Sequence, residues 1–375
     1  MSITLIASMT FGFESIVRRE LEDLGFNKIT AVSDGRIEFE AELRDIPTVN
    51  LWLRAADRIS IKIAEFKATD FDQLFDPIKV IPWENWITKD GKITVTGKSV
   101  KSVLESVRSN QSITKKAIIE RLKSKYKVEW LDETGPEFTV QVALFKDIVL
   151  LTLDTTGSGL HRRNYRTDTG EVPIRENLAA ALVLLSFWNK DRLLIDPLCG
   201  SGTILIEAAM IGRNIAPGLK RKFISEYWPW MDQKFWEDAR TTAAQAINTT
   251  DKLQIFGYDM DAARIKDCKI NAKHAGVGKD IVFEQKDIKD LLISQEQGII
   301  ITNPPYGIKL SSTQEITSIY SALNALLKDQ KRWSLFLVTA DKNFPNCFKR
   351  ARPDKIRKLY NGTIEVNYFQ YFGDK

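Results

Sequence analysis

The chain has 375 residues, of which 43% are hydrophobic and 27% are charged, and its formal net charge is +5. This length and composition allow two or three folded domains and argue against wholesale disorder. Three cysteines without CxxC spacing and two histidines argue against a disulfide scaffold, a cysteine- or histidine-rich metal site and a serine-protease triad, and they fit a reduced, cytoplasmic protein without a metal.

The first 65 residues predict a small α+β unit. The N-terminus lacks the basic start of a signal peptide, and no apolar run in the chain reaches the ~18 residues of a membrane helix, so we expect no membrane segment. Alternating apolar residues predict strands at the start of the chain and over 35–43. The stretch 51–66, "LWLRAADRISIKIAEF", predicts a helix that leads into another strand.

Residues 66–156 predict a second α+β unit, which contains a markedly basic segment over 98–127. This segment holds nine Lys or Arg against two Glu, whereas residues 1–97 hold 12 basic and 16 acidic residues. Clustered Lys and Arg gain affinity for nucleic acids by releasing counterions from the phosphate backbone. The segment is therefore either a phosphate-binding patch or a solvated helix face. Residues 157–174 are rich in Gly and charge and predict a linker.

From residue 175 to residue 375, apolar strands alternate with helices. This order predicts a parallel sheet with helices on both faces. The last two strands meet at Asn361-Gly362, a signal for a type I′ hairpin. A hairpin at the end of a parallel sheet inserts its last strand antiparallel. The predicted fold class is thus α/β, with a Rossmann-like C-terminal sheet behind N-terminal α+β units.

A glycine-rich corner, "DPLCGSGT" (196–203), follows a predicted buried strand and begins a helix. Glycines at this position let the backbone approach a ligand, and ligands of open α/β sheets bind at the carboxyl ends of strands. The corner lacks the Lys of a P-loop and the third Gly of a dinucleotide site, and Asp196 would repel phosphate. It therefore suits a cofactor that has an amino group and no phosphate, unless it is a plain strand-to-helix turn.

Two more carboxylates follow the next predicted strands. Asp259 is placed to accept hydrogen bonds from both hydroxyls of a ribose, and Asp287 to read an adenine amino group. Either residue could instead cap a helix, and Asp261 is an alternative cap for the helix after Asp259. Together with Asp196, the three acids match an amino-acid moiety, a ribose and an adenine, which are the parts of S-adenosylmethionine.

The stretch "IITNPPYG" (300–307) ends a third buried strand with a rigid corner. The side-chain carbonyl of Asn303 and the backbone carbonyl of Pro304 can accept both N–H bonds of an exocyclic amine, and Pro304 and Pro305 fix φ near −65°. Tyr306 can stack on a base extruded from its helix. The motif does not separate guanine N2 from adenine N6, and an ordinary Asn-Pro turn is the simpler alternative.

These motifs resemble those of class I S-adenosylmethionine-dependent methyltransferases, in which "DPLCGSGT" is the cofactor loop and "TNPPYG" the amino-methylating motif. The resemblance implies S-adenosyl-L-methionine as cofactor and S-adenosyl-L-homocysteine as product. It implies catalytic roles for Asn303, Pro304, Pro305 and Tyr306. It implies cofactor contacts for Asn177, Asp196, Cys199, Gly200, Ser201, Gly202, Thr203, Asp259, Met260, Asp287, Ile288 and Asn303.

The front half resembles a ferredoxin-like unit (1–65) followed by a THUMP domain (66–156), an RNA-binding module, on the strength of "GKSVKS" and "NQSITKKAI". The stretches "LHRRNYR" and "GEVPIRENLAAAL" are similar to the junction of bacterial RlmL-type enzymes, which methylate guanine N2 in 23S rRNA. This resemblance implies an RNA partner that is contacted through the THUMP region and 98–127. In that family "PIRENLAA" approaches the methionine end of the cofactor, which is why Asn177 is a candidate contact.

The chain departs from the RlmL-type pattern in two respects. The motif often continues with Glu-Arg, whereas this chain has Gly307-Ile308-Lys309. RlmL itself carries a second methyltransferase domain, so this chain resembles shorter relatives. The target stays open: guanine N2 in 23S rRNA is the first hypothesis, guanine N2 in tRNA the alternative, and adenine N6 in DNA is permitted by NPPY alone.

Two segments mix basic residues with aromatic ones. The first, "HRRNYR" (161–166), is either an RNA contact between domains or a solvated linker. The second, 213–236, holds Lys220, Arg221 and Lys222 beside three tryptophans. It suits RNA stacking or, as the alternative, a small satellite core under a long loop.

Overall fold

The computed structural model describes residues 2–33, 35–166, 174–305, 313–348 and 352–374. Within these ranges the strands form two seven-stranded sheets, one in each half of the chain. None of the described helices is long and apolar enough to cross a membrane. The architecture confirms the α/β class with a methyltransferase-like C-terminal sheet and α+β N-terminal units.

The N-terminal sheet combines strands from both predicted front units. Its strand order is β2-β3-β1-β4-β7-β6-β5, and the antiparallel pairing of β4 with β7 joins the two units. The predicted boundary at residue 65 therefore lies inside β4, although the three domain boundaries themselves stay a prediction. The strands are β1 (Ser2–Met9), β2 (Ile29–Ser33), β3 (Arg36–Glu42), β4 (Ala56–Lys67), β5 (Lys92–Val100), β6 (Glu137–Phe145) and β7 (Ile148–Asp154).

Four helices cover one face of this sheet because the strands alternate buried and outward residues. In β1, for example, Ile3, Leu5 and Ala7 are buried in the main core. The basic segment supplies the longest of these helices, which Ser106 caps by accepting a hydrogen bond from Ser109 N. The helices are α1 (Glu14–Asp23), α2 (Ile46–Trp52), α3 (Phe71–Val80) and α4 (Val107–Tyr126).

The C-terminal sheet has the strand order β10-β9-β8-β11-β12-β14-β13. All pairings from β10 to β12 are parallel, while β14 runs antiparallel to both of its neighbours, which confirms the inserted last strand. The strands are β8 (Leu194–Asp196), β9 (Ile255–Asp259), β10 (Ile281–Gln285), β11 (Gly298–Thr302), β12 (Trp333–Thr339), β13 (Lys355–Asn361) and β14 (Ile364–Tyr371). The helices are α5 (Glu176–Leu185), α6 (Thr203–Gly212), α7 (Gln233–Gln245), α8 (Ala262–Ala275), α9 (Thr313–Leu327) and α10 (Phe344–Cys347).

The terminal hairpin forms, but its turn differs from the expected type. Asn361 pairs with Ile364, so the two turn residues are Gly362 and Thr363 rather than Asn361 and Gly362. Gly362 has a φ of 66°, whereas Thr363 is not among the residues with positive φ. A positive φ at the first turn position alone is the pattern of type II′, in which glycine is preferred at that position.

The aromatic segment 213–236 packs between the two halves. The indole of Trp228 stacks on Phe138 with ring centroids 5.4 Å apart, and its Nε1 donates to Glu137 O at 3.0 Å. Trp236 is buried against Phe223. Arg221 is also buried and donates to Gly159 O at 2.7 Å. The core alternative therefore describes these residues, and stacking on RNA is wrong for the buried tryptophans.

The predicted linker is partly buried where it is described, although Ser158, Arg162 and Asn164 are exposed. Arg163 is 3% exposed, and its Nε lies 3.6 Å from the buried Glu207 Oε1. Tyr165 donates its hydroxyl hydrogen to the same carboxylate oxygen at 3.0 Å. Arg166 donates to Thr203 Oγ1 at 2.8 Å and so ties the segment to α6. All three residues contact α6, and Arg163 also donates to Arg54 O in the N-terminal half, so the RNA contact expected of 161–166 does not include them.

Candidate functional site

The loop between β8 and α6 needs both of its glycines. Gly200 and Gly202 have φ values of 54° and 78°, which side-chain-bearing residues rarely adopt. A Cβ atom on Gly202 would also lie 3.2 Å from Cys268 Sγ and 3.2 Å from the ring of Phe283. At Gly200, by contrast, a Cβ would meet no atom within 4 Å, so the loop faces open space there. This is the cradle that the sequence predicts for a cofactor.

The loop is anchored to the next strand by Asp259 at the end of β9. Its Oδ2 accepts a hydrogen bond from Gly200 N at 2.9 Å, and its Oδ1 accepts one from Asp261 N at 3.0 Å. Asp261, not Asp259, caps α8 by accepting from Ala263 N. The cap alternative for Asp259 is therefore wrong. Burial raises the pKa of the Asp259 carboxyl, while the two backbone N–H groups lower it.

Asp196 links the cofactor loop to the proline corner. Parallel pairing of β8 with β11 brings Asp196 next to Thr302, and Thr302 Oγ1 donates to Asp196 Oδ1 at 2.7 Å. Leu198 N donates to the same oxygen at 3.1 Å. Burial raises the pKa of the Asp196 carboxyl to about 7, although the hydrogen bond from Thr302 lowers it. Sequence reasoning missed Thr302, which immediately precedes Asn303.

Asn303 follows β11 and carries a free acceptor. Its Oδ1 is buried and has no hydrogen-bond partner among the residues that the structure describes. Most buried polar atoms in native proteins are paired, and an unpaired one costs ~1–3 kcal/mol, so an orphan at a ligand edge indicates an atom that awaits a donor. Pro304 is buried and Pro305 half-buried beside it. Tyr306 and Gly307-Ile308-Lys309 lie outside the described residues.

Asp287 caps a short 3₁₀ helix, Ile288–Asp290, by accepting from Lys289 N at 2.9 Å through Oδ1. The capping alternative thus holds, and a cap of this kind does not prevent a carboxylate from accepting a further bond. Ile288 is buried, whereas Met260 is 71% exposed beyond Asp259. Their cofactor contacts, like that of Asp287, stay predictions.

Asn177, near the start of α5, contacts the N-terminal half of the chain. Its Nδ2 donates to Asp57 Oδ1 at 2.8 Å. Asp57 follows the first residue of β4, and burial raises its pKa while Asn177 lowers it. No local pattern singles out Asp57 in the sequence. The predicted contact of Asn177 with the methionine end of the cofactor stays a prediction, and one amide hydrogen remains for it.

The remaining loop residues are fixed by neighbours from α8 and the linker. Cys199 Sγ lies 3.8 Å from Cys268 Sγ, and Cys268 donates to Gly200 O at 3.1 Å. The hydrogen bond that Cys199 donates to Cys268, together with burial, holds the pKa of Cys199 well above its usual value, so Cys199 packs as a neutral thiol. The hydroxyls of Ser201 and Thr203 lie 3.1 Å apart. The two cysteines, distant in sequence, meet because the loop and α8 face each other.

Comparisons with protein-family models match three consecutive parts of the chain. Residues 4–60 match the RlmL ferredoxin-like domain, residues 68–154 the THUMP domain, and residues 163–370 the methyltransferase domain of the family described as UPF0020, RMKL-like. The last match alone spans more than half of the chain.

Individual proteins agree with these matches. The predicted RNA methyltransferase YpsC of Bacillus subtilis (strain 168) is 44% identical over 98% of this chain and 96% of its own length. The Ribosomal RNA large subunit methyltransferase K/L of Psychromonas ingrahamii is 34% identical over 94% of this chain, which spans only 48% of that protein. SMU.472, a predicted methyltransferase crystallised with S-adenosylhomocysteine, is 39% identical with a TM-score of 0.94, over 100% of this chain and 99% of that one.

Proposed function

The chain belongs to the RMKL-like methyltransferase family, with RlmL-type ferredoxin-like and THUMP domains, and from that premise we propose that it methylates the exocyclic N2 amine of guanine in RNA. It is an S-adenosylmethionine-dependent methyltransferase, and the THUMP domain together with the name of YpsC supports RNA as its substrate class. The first candidate substrate is 23S rRNA, supported by the ribosomal large-subunit relative.

The observation that carries this proposal is the unpaired Oδ1 of Asn303. It lies one residue after Thr302, whose hydroxyl is bonded to Asp196 at the start of the cofactor loop. Two sites are thereby joined by a single hydrogen bond: a glycine cradle for the cofactor and an unsatisfied acceptor for a donor group. An amine that receives the methyl group can donate one N–H to Asn303 Oδ1 and the other to Pro304 O. A substrate methylated on a hydroxyl or a carbon atom would not need both carbonyl groups.

An exocyclic amine is a poor nucleophile because its lone pair is delocalised into the base. In the proposed mechanism Asn303 Oδ1 and Pro304 O each accept one N–H bond, so that the nitrogen pyramidalises and directs its lone pair outward. The ring of Pro304 fixes its own φ, and neither Pro304 nor Pro305 has a competing N–H donor. Preorganised acceptors lower the barrier without reorganising during the reaction. No strong general base is required, because the nitrogen becomes acidic once it is methylated and loses its proton to water.

When bound, the cofactor supplies an electrophilic methyl group on a sulfonium. We assign Asp259 to its ribose hydroxyls, Asp287 to its adenine, and Asp196 with Asn177 to the region of its amino-acid moiety. The backbone of 199–203 and the neighbouring Met260 and Ile288 would line the remaining surface. Fixed positions for both partners supply proximity, which is a large part of the rate gain in such transfers.

In the test, the full chain and radiolabelled S-adenosylmethionine are incubated in separate reactions with unmethylated 23S rRNA, tRNA or duplex DNA. The labelled nucleosides of each reaction are then identified. The proposal predicts label in N2-methylguanosine from rRNA. Label in N2-methylguanosine from tRNA alone would transfer the proposal to tRNA. Label in N6-methyladenine from DNA would contradict it.

A further inference from the structure

The second face of the N-terminal sheet is open. Helix α4 and its companions pack on the first face, where Ala117, Ile118 and Leu122 join the main core. On the other face, outward residues of β1–β7 and the segment 222–227 line a groove of about 1630 Å³. Its floor has a small apolar cluster of Ile6, Ala143 and Leu150, with Ser, Thr and Gln side chains around it.

The groove is basic. Its lining includes Arg36, Arg58, Lys98, Lys146, Arg162 and Lys222 against three acids, Glu65, Glu137 and Asp154. Arg58 is committed to Asp154. Lys98, Lys146 and Arg162 are exposed and form no ion pair with a described residue. These cations are available to an anionic partner.

The basic helix α4 on the opposite face is different, because acidic neighbours already neutralise part of it. Lys115 pairs with Glu133 at 2.9 Å, and Arg121 pairs with Glu84 at 2.6 Å. An ion pair must be broken before either cation can bind phosphate, so these two residues offer less to RNA than free cations do.

Two aromatic rings and an unpaired hydroxyl also belong to the groove. Tyr227 is 62% exposed and Phe145 is 55% exposed, in contrast to the buried Trp228 beside Tyr227. Exposed rings beside cations suit the stacking of unpaired bases. Thr152 is 3% exposed and lines the groove, and its Oγ1 has no hydrogen-bond partner within the described ranges. A buried hydroxyl of this kind favours a polar ligand over an apolar peptide surface.

One end of the groove lies near the methyltransferase half. Gly159 and His161 line it, and the intervening Leu160 donates its N–H to Asp57 O at 2.8 Å. The side chain of the same Asp57 accepts from Asn177 of α5. An RNA strand lying in the groove would therefore reach the contact between the N-terminal half and the methyltransferase half.

We propose that this groove binds a single-stranded segment of the substrate RNA, with phosphates on Lys98, Lys146 and Arg162 and bases stacked on Tyr227 and Phe145. The inference rests on the proposed function only in taking RNA as the substrate. Seven strands at ~4.8 Å spacing span about 29 Å, room for several nucleotides. The occupant is unpaired RNA rather than a duplex, because exposed rings can reach only unstacked bases.

The test measures anisotropy of a fluorescein-labelled, mixed-sequence 12-nucleotide RNA with the full chain over a range of salt. Lys98→Glu with Lys146→Glu should weaken binding at least tenfold and flatten its salt dependence. Tyr227→Ala should weaken binding about fivefold without changing the salt slope. The matched control reverses two exposed α4 charges, Lys116→Glu with Lys125→Glu, and should stay within twofold of wild type. Melting temperature and S-adenosylhomocysteine binding check that each variant is folded.

Groove variants that bind within twofold of wild type would overturn the inference, and so would tighter binding of a duplex, or of an unrelated acidic protein, than of the single strand. If the α4 control lost RNA binding while the groove variants kept it, the RNA site would be on helix α4 instead. These failures leave the proposed function standing if wild type still forms N2-methylguanosine. Failure of the proposed function appears separately, as groove-dependent RNA binding without N2-methylguanosine.

Discussion

Replacement of Asn303 by alanine tests whether the side chain of Asn303 acts in catalysis or only stabilises the fold. The buried Oδ1 has no partner to lose in the described part of the chain, so truncation removes a desolvated carbonyl and should change the free energy of unfolding by less than about 1 kcal/mol. Loss of one preorganised hydrogen-bonding group in an active site costs ~2.7–4 kcal/mol of transition-state stabilisation, or about 10²–10³ in rate. Cofactor binding should stay near that of wild type, because the glycine cradle and Asp259 are untouched.

The assay is single-turnover methylation of RNA with enzyme in excess, combined with calorimetric binding of S-adenosylhomocysteine and urea unfolding. The matched control is Asn189→Ala, the same truncation at an exposed position before the amino end of β8. Asn303→Asp keeps an acceptor at the site and should retain more activity than Asn303→Ala. An undiminished single-turnover rate in Asn303→Ala would refute the role given to Asn303, and so would a stability loss above 2 kcal/mol, which would make the residue structural.

Four further predictions concern the cofactor loop and the domain junction. Because Asp196 has a pKa of about 7 and attracts a cationic ligand only when ionised, affinity for S-adenosylmethionine should be highest above pH 7 and fall as the pH drops through 7; calorimetry from pH 6 to 8.5 checks this. Thr302→Val removes the hydrogen bond that lowers this pKa, so the midpoint should move to higher pH, and an unmoved midpoint would show that Asp196 does not govern binding. Gly202→Ala introduces a Cβ at positive φ, 3.2 Å from Cys268 Sγ, and should destabilise the protein by ~1–3 kcal/mol in urea unfolding. Tyr165→Phe deletes the buried hydroxyl donor to Glu207 and should cost ~1–3 kcal/mol, with Tyr227→Phe, at an exposed tyrosine, as the unaffected control.

Local signals explain the parts of the fold and site that the sequence predicts. Alternation and apolar runs mark strands because side chains alternate across a sheet. The glycines at 200 and 202 are recognisable because their backbone conformation excludes other residues. Asp259 is recognisable because it follows a buried strand at the edge where ligands bind. Each signal is contained within a few consecutive residues.

The parts that sequence reasoning missed depend on residues far apart in the chain. Pairing of β4 with β7 merges two predicted units into one sheet, and no sequence pattern near either strand predicts this pairing. Thr302 and Asp57 gain their roles only when strand pairing and domain contact bring them to Asp196 and Asn177. Likewise, the sequence pattern of an aromatic and basic segment does not show whether its rings face solvent or pack on a neighbouring sheet. Trp228 and the exposed Tyr227 are adjacent in sequence and opposite in environment.

The most direct test of the central claim compares 23S rRNA from cells with and without the gene by nucleoside mass spectrometry and position mapping. One guanine should lose its N2-methyl group in the deletion strain. The wild-type gene should restore the mark, and a gene carrying Asn303→Ala should not. An rRNA with an unchanged set of N2-methylguanosines in the deletion strain would contradict the proposed substrate.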